Sequence, residues 1–147
     1  MTLNYGLIGC GMMGREHIRN IALLEDVEIS VVFEPDSEMR ALAAQTLPQA
    51  VMVDSLETLL AHDPLDCLVI VSPNHCHMPQ LIEIAAQRAL PILCEKPLFT
   101  NPADLALAQS FAQSYPSQVW VAMEYRYMPP VAALIAQAKR SPAGSKC

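Results

Sequence analysis

The sequence carries a glycine-rich turn, Gly9-Cys10-Gly11-Met12-Met13-Gly14, directly after the apolar pair Leu7-Ile8. A strand that passes through such a turn into a helix presents free N–H groups and the positive end of the helix dipole to an anion. The first glycine permits a sharp turn, the second a close approach of a pyrophosphate, and the third close packing of helix on strand. We therefore predict a dinucleotide site at Gly9, Gly11 and Gly14, with Met12 and Met13 contributing backbone N–H groups. A glycine-rich turn without a ligand would have the same sequence, so further features are needed.

Glu34 supplies the next feature, because it lies 20 residues after Gly14 at the end of the strand-like run 28–33. A carboxylate at that position accepts hydrogen bonds from the adenine-ribose hydroxyls, and its charge repels a 2′-phosphate. Glu34 therefore predicts NAD as the cofactor rather than NADP. The alternative is a solvated acid in the turn before the next helix, which Asp36 or Ser37 could cap without it.

A lysine follows another short apolar run, in the sequence Glu95-Lys96-Pro97 after Ile92-Leu93-Cys94. This places Lys96 at the carboxyl end of a predicted parallel strand, the edge where ligands bind in open α/β sheets. Removal of a hydride from a carbinol carbon requires the hydroxyl proton to leave too, and an ammonium beside that oxygen can orient the hydroxyl and stabilise the alkoxide charge that develops. Lys96 is therefore the candidate catalytic residue. The alternative is a surface lysine that pairs with Glu95 and contributes about 0 to 1 kcal/mol.

Apolar runs alternate with helix-period segments along the chain, which is the pattern of βαβ units. The predicted strands are 3–8, 28–33, 50–53, 67–71, 91–94 and 119–124. The predicted helices are 14–24, 37–46, 55–61, 79–88, 102–114 and 130–140, and a proline lies near the start of several of them. The predicted fold class is α/β, a doubly wound parallel sheet in a single domain.

Four motifs resemble, in order and spacing, the family of glucose-fructose oxidoreductase, inositol dehydrogenase and rhizopine catabolism protein (Gfo/Idh/MocA). They are residues 6–14, Ser72-Pro73-Asn74-His75-Cys76-His77, Cys94-Glu95-Lys96-Pro97-Leu98 and Glu124-Tyr125-Arg126-Tyr127-Met128-Pro129, and the resemblance covers about residues 3–140. It implies an N-terminal Rossmann-type domain for NAD(P) and a C-terminal α+β domain that completes the substrate site. It also implies hydride transfer from a sugar, an inositol or a related polyol.

The resemblance assigns roles to residues outside the glycine turn. It implies that Pro73 and Asn74 line the loop under the nicotinamide ribose, and that Ser72, Glu95, Lys96 and Arg126 also contact the cofactor. An aspartate and a histidine from the second domain would assist Lys96. His77 has two interpretations, helix capping and cofactor contact, while His75 is expected to be exposed. Arg126 could instead stack on its neighbouring tyrosines.

The length of 147 residues leaves room for one domain. We predict an NAD-binding domain over residues 1–128, and over residues 129–147 the start of a crossover toward a second domain, followed by a short tail. The sequence is interpreted as a truncated enzyme that lacks the family's C-terminal domain. A noncatalytic nucleotide-binding or interaction module and a nonfunctional truncated product are the alternatives. The apolar residues of segment 120–140 are expected to favour a homo-oligomer or another protein partner.

Composition and charge exclude other classes of function. The chain is 52% hydrophobic and 16% charged, and its net charge of −6 disfavours binding to nucleic acid or to an anionic membrane. It shows neither a signal-peptide pattern nor an apolar run long enough to span a membrane, so we expect a cytoplasmic protein. The five cysteines, without Cys-x-x-Cys spacing, are expected to be reduced thiols. His75, Cys76 and His77 stand too close together to surround one ion, so no metal site is predicted.

Overall fold

Parallel strands form a single sheet in the computed structural model, which describes residues 2–140. The strands are β1 (Leu3–Ile8), β2 (Val27–Phe33), β3 (Val51–Val53), β4 (Cys67–Ile70), β5 (Ile92–Glu95) and β6 (Val119–Ala122). Their order is β3-β2-β1-β4-β5-β6, so the direction of winding reverses between β1 and β4. The carboxyl ends of these two strands flank the crevice in which doubly wound sheets bind their ligands.

Helices cover both faces of the sheet, as right-handed crossovers require. They are α1 (Met12–Ile21), α2 (Ser37–Thr46), α3 (Leu56–Leu60), α4 (His77–Gln87), α5 (Leu105–Ser114) and α6 (Pro129–Arg140). Helices α1 and α2 share one hydrophobic core with strand residues such as Leu7 and Val32. Helices α3, α4 and α5 share the other core with Ile8 and Ile92. The predicted doubly wound α/β sheet is confirmed.

The central strands are buried on both faces, which explains their uninterrupted apolar sequences. Leu7 and Ile8 are both fully buried, although successive side chains of a strand point to opposite faces. Leu68 and Ile70 of the neighbouring strand are also fully buried. Parallel sheets with helices on both faces have this pattern, and each such side chain contributes about 1.5 to 3 kcal/mol on burial.

Side-chain caps set the start of two helices. The Oδ1 atom of Asp36 accepts hydrogen bonds from the N–H groups of Glu38 and Met39, at 3.0 and 2.9 Å. Helix α2 consequently occupies the predicted residues 37–46. Ser55 accepts from the N–H of Thr58 at 3.1 Å and caps α3 in the same way.

All the predicted helices except α2 differ from the structure at one or both ends; α5, for example, begins at Leu105 rather than at residue 102, because residues 102–104 form a 3₁₀ helix. Helix α1 was predicted over 14–24 but spans Met12–Ile21. It begins earlier because Gly11 is already its N-cap, and it ends earlier because the chain turns before β2, where Asp26 has a φ of 58°. Helix α4 was predicted over 79–88 but begins at His77, directly after the short 3₁₀ helix Asn74–Cys76. Pro79 is then the third helical residue, a position whose N–H has no partner within the helix.

The carboxyl end of the described chain also differs from the prediction. Strand β6 was predicted over 119–124 but ends at Ala122, and a 3₁₀ helix, Glu124–Tyr127, follows it. Helix α6 packs against this 3₁₀ helix and contains no buried residue. The predicted crossover segment 129–147 is thus described as far as Arg140, while its tail, residues 141–147, lies outside the described residues.

The glycine turn brings α1 into direct backbone contact with β1. Gly9 has a φ of 94°, in the region that favours glycine, and a Cβ on it would lie 2.8 Å from the backbone of Ser72. A Cβ on Gly14 would lie 2.7 Å from the carbonyl oxygen of Gly9. At Gly11, by contrast, a Cβ would meet nothing within 4 Å. Two of the three glycines therefore serve packing, and the third leaves open space above the helix N-terminus.

The substitution Gly14→Ala should therefore lower the free energy of unfolding by on the order of 2 kcal/mol, because backbone atoms must move to admit the methyl group. Gly11→Ala is the matched control, and it should cost less than about 1 kcal/mol, the difference expected at a helix N-cap. Urea denaturation followed by circular dichroism measures both. Equal losses in the two variants would contradict the packing role of Gly14.

Candidate functional site

The N-terminus of α1 forms one wall of the site. Its first backbone hydrogen bond runs from the N–H of Arg15 to the carbonyl of Gly11, at 3.0 Å. The N–H groups of Met12, Met13 and Gly14 precede this bond and point out of the helix end. Met12 and Met13 are exposed, so the helix N-terminus is open to a ligand. Such an end, with the open space at Gly11, fits a pyrophosphate.

Glu34 lies directly beside the glycine turn. Its Oε2 atom accepts a hydrogen bond from the N–H of Cys10 at 2.9 Å, and its Oε1 atom accepts from the N–H of Asp36 at 3.1 Å. The structure thus brings the carboxylate and the turn together at the carboxyl ends of β1 and β2. Cap contacts to α2 come from Asp36, so Glu34 is not needed to cap that helix.

The thiol of Cys10 supports the same carboxylate. Its Sγ atom lies 3.4 Å from Oε2 of Glu34. Burial, followed by the hydrogen bond to Glu34, raises the pKa of the Cys10 thiol to about 12. The thiol is therefore protonated at neutral pH and acts as a donor rather than as a nucleophile.

The loop after β4 packs against the glycine turn through Ser72, as the contact with Gly9 shows. Pro73, Asn74 and His75 are exposed beyond it. His77 is fully buried instead, with Nδ1 2.8 Å from the carbonyl oxygen of Pro97 and Nε2 2.9 Å from that of Ser72. In this arrangement both ring nitrogens of His77 contact the protein, and its side chain caps no helix.

Lys96 is exposed at the carboxyl end of β5, on the same sheet edge as the glycine turn. Glu95, the residue before it, is only 8% exposed and pairs with His17 of α1, with 2.8 Å between Oε1 and Nε2. Among residues 2–140, basic and acidic side chains approach each other closely at His17–Glu95 and at Arg19–Glu16, so the alternative of a Lys96–Glu95 ion pair is absent from the described chain. The ammonium of Lys96 is therefore available to a ligand.

Arg126 lies in the 3₁₀ helix after β6, where its guanidinium carbon is 5.8 Å from the centre of the Tyr127 ring. This contact agrees with the alternative in which Arg126 stacks on a neighbouring tyrosine. Arg126 also lines a groove of about 440 Å³ together with His17, Glu95 and Trp120. The groove runs along the face of β5 and β6 next to α1, and places Arg126 on the same side of the sheet as Glu95.

The sequence analysis did not identify two residues of this region, His17 and Arg40. His17 stands one helical turn after Gly14 and could have been noticed as a polar residue on the inner face of α1. Arg40 donates to the carbonyl oxygens of Glu34 and Pro35, at 2.6 and 3.2 Å. Only the tertiary contacts identify these partners.

Residues 2–140 contain neither a metal cluster nor a disulfide. The described part of the chain contains no cluster of three or more His, Cys, Asp or Glu residues that could hold a metal ion. Cys10, Cys67, Cys76 and Cys94 are all free thiols, and Cys147 lies outside the described residues. No helix in the described range has the length and apolar character needed to cross a bilayer.

Known proteins resemble the chain in both sequence and structure. Inositol 2-dehydrogenase of Corynebacterium glutamicum (strain R) is 39% identical over 98 residues, which are 66% of this chain and 29% of that protein. The chain thus spans less than a third of the length of this relative.

Two solved structures superpose on nearly the whole chain. Myo-inositol dehydrogenase of Corynebacterium glutamicum is 30% identical with a TM-score of 0.83, over 95% of this chain and 41% of the other. Myo-inositol dehydrogenase of Lactobacillus casei, in complex with NAD(H) and myo-inositol, has a TM-score of 0.86 over 95% of this chain and 42% of the other. At 24% identity, this second similarity shows the fold alone.

Residues 3–123 match the family described as an oxidoreductase family with an NAD-binding Rossmann fold. This match includes the glycine turn, Glu34, the loop after β4 and Lys96. The chain belongs to the Gfo/Idh/MocA oxidoreductase family and forms its NAD-binding Rossmann domain.

Proposed function

We propose that this chain serves hydride transfer between NAD and a hydroxyl-bearing carbon of a sugar, an inositol or a related polyol. The observation that carries the proposal is the exposed ammonium of Lys96, which stands without an ion-pair partner in the described chain at the sheet edge that also holds the glycine turn. The relatives named as inositol dehydrogenases support the substrate class. Because they are much longer than this chain, the activity of the whole protein is part of the proposal.

The residues present fit NAD at this edge. The open space at Gly11 and the exposed N–H groups of Met12 and Met13 suit a pyrophosphate, which a Cβ at residue 11 would push away. The position of Glu34 beside the glycine turn supports its proposed role as acceptor for the adenine-ribose hydroxyls. When bound, NAD supplies the acceptor for the hydride.

Lys96 would act on the substrate hydroxyl. Its ammonium donates hydrogen bonds, so it can orient the hydroxyl oxygen and stabilise negative charge on it as the hydroxyl proton passes to solvent. Ser72, Pro73 and Asn74 stand on the adjacent loop and would line the nicotinamide ribose. Glu95 and His77 already bind protein groups in this conformation, so their part in the site would be to hold its shape.

A cytoplasmic location belongs to the same proposal. It is supported by the four free cysteines of the described residues. Burial raises the pKa of Cys94 to about 12 and that of Cys67 to about 11, so these thiols resist oxidation and modification.

Cofactor preference tests the role of Glu34. NADH should bind at least about tenfold more tightly than NADPH, because the Glu34 carboxylate opposes the 2′-phosphate. Glu34→Gln should reduce this ratio, whereas Glu38→Gln, at an exposed acid on the first turn of α2, should leave it unchanged. Fluorescence titration with both nucleotides measures the ratio. Equal affinities in the unaltered chain would remove Glu34 from the cofactor site.

Substitution of Lys96 tests the chemistry. Lys96→Ala should leave NADH affinity within a few-fold, since the proposed partner of the ammonium is the substrate hydroxyl. In a chimera that joins this chain to the second domain of a relative, the same change should lower kcat by about 10²- to 10⁴-fold. Lys139→Ala, near the end of α6, is the control. NADH binding by a chimera without any turnover would favour the alternative of a noncatalytic module.

Self-association forms the last part of the proposal, and it rests on exposed apolar side chains of β6, of the 3₁₀ helix that follows it and of α6. We call this set the β6-end patch: Trp120, Met123, Tyr125, Tyr127, Met128 and Leu134. Exposed apolar patches commonly mark protein contacts.

A second copy of the chain is the proposed occupant of the β6-end patch, and analytical ultracentrifugation should show a concentration-dependent dimer. Tyr127→Ser, at a ring 79% exposed, should weaken the dimer at least about fivefold by removing apolar contact area. Leu23→Ser is the matched control, because Leu23 is 82% exposed and lies apart from the patch at the end of α1. A monomer at all concentrations would contradict self-association.

A further inference from the structure

Two histidines contact the turn that carries Lys96, one on each side of it. His17 lies in α1, and its side chain is 16% exposed. His77 is the first residue of α4 and is fully buried. The hydrogen bonds of both rings go to groups directly next to Lys96 in the chain.

His17 acts on the residue before the lysine. Its Nε2 atom lies 2.8 Å from Oε1 of Glu95, and Oε2 of Glu95 accepts a hydrogen bond from the N–H of Lys96 at 3.2 Å. An ionised carboxylate can only accept, so His17 is the donor. The Glu95 side chain thus links α1 to the backbone amide of Lys96.

His77 acts on the residue after the lysine. Its Nδ1 atom contacts the carbonyl oxygen of Pro97, and its Nε2 atom contacts that of Ser72. The far side of the turn is therefore tied to the loop that packs on Gly9. Both sides of Lys96 are connected to the glycine turn, one through α1 and one through Ser72.

We propose that His17 and His77 are positioning residues, which hold Lys96 at a fixed place relative to the glycine turn. His17 stands three residues after Gly14, about 4.5 Å further along the helix axis, so the helix that receives the phosphates also anchors the lysine. The inference rests on the proposed function, because it assigns a purpose to the position of Lys96. Displacement of a catalytic group by about 1 Å can cost on the order of 10²-fold in rate.

The chemistry of the His17–Glu95 pair indicates that it positions the turn around Lys96 and does not only stabilise the fold. A carboxylate as buried as Glu95 loses hydration, and well-packed apolar residues of similar volume are often at least as stabilising as a buried pair. A hydrogen-bonded pair, unlike an apolar contact, fixes distance and direction. The link through Glu95 therefore specifies the position of the Lys96 amide.

The experiment uses a matched pair of substitutions at His17. His17→Gln places an amide N–H near the position of Nε2, whereas His17→Asn carries the same group on a chain that is one carbon shorter and falls short of Glu95. His62→Asn, in the loop before β4, is the control for histidine loss elsewhere. Circular dichroism confirms that each variant is folded.

The first measurement is hydrogen exchange of the Lys96 backbone amide by NMR, which needs no cofactor. Exchange should accelerate about tenfold in His17→Asn, as expected for a lost hydrogen bond to a charged group, and remain within about threefold in His17→Gln and His62→Asn. Unchanged exchange in His17→Asn, or equal acceleration in both His17 variants, would overturn the proposal.

The second measurement reports on Lys96 in the presence of NADH. The lysines of the sequence are Lys96, Lys139 and Lys146, so reductive ¹³C-methylation gives few signals to resolve. NADH should shift the Lys96 signal in the unaltered chain and in His17→Gln, and shift it less than half as far in His17→Asn at saturation. A full shift in His17→Asn would overturn the positioning role. If NADH leaves the Lys96 signal of the unaltered chain unshifted, the proposed function is refuted. The hydrogen-exchange measurement would still decide the role of His17.

Discussion

The contact between Gly14 and the carbonyl oxygen of Gly9 is the constraint on which the site depends. With hydrogen as the only side chain at residue 14, α1 packs against the end of β1 at backbone distance. That approach directs the helix N-terminus into the crevice where the sheet reverses its winding. It also brings the second turn of α1 close enough to the end of β5 for His17 to reach Glu95.

Polar side chains at this sheet edge are organised around two carboxylates. Glu34 receives the amide and thiol of Cys10, and Glu95 receives His17 and the amide of Lys96. Both carboxylates are at least partly removed from water. A buried acceptor that receives no hydrogen bond lowers the free energy of unfolding by about 1 to 3 kcal/mol or more. Their hydrogen bonds offset that cost and at the same time hold the loops in place. Lys96, in contrast, remains exposed to solvent.

Coverage of the sheet is uneven, and the unevenness follows from its topology. Crossovers toward β3 place α1 and α2 on one face, and crossovers toward β6 place α3, α4 and α5 on the other. The first face therefore has no helix of its own over β5 and β6 in the described chain. Trp120 remains 51% exposed there, beside the groove that contains His17 and Glu95. The same topology thus creates both the ligand crevice and the open apolar surface.

The sequence by itself determined the fold class and the order of the elements, because hydrophobic period and glycine spacing are local properties of the chain. The family followed from the resemblance of four motifs in their order and spacing. Helix α2 begins as predicted because Asp36 caps it from the adjacent residue. The start of α1 was misplaced, since a glycine at an N-cap looks the same in sequence as a glycine in a turn. Only the tertiary structure decided that Glu95 pairs with His17 rather than with Lys96, and that His77 bridges Ser72 and Pro97. Such partners lie on different strands and helices, and their distances depend on packing that no local pattern encodes.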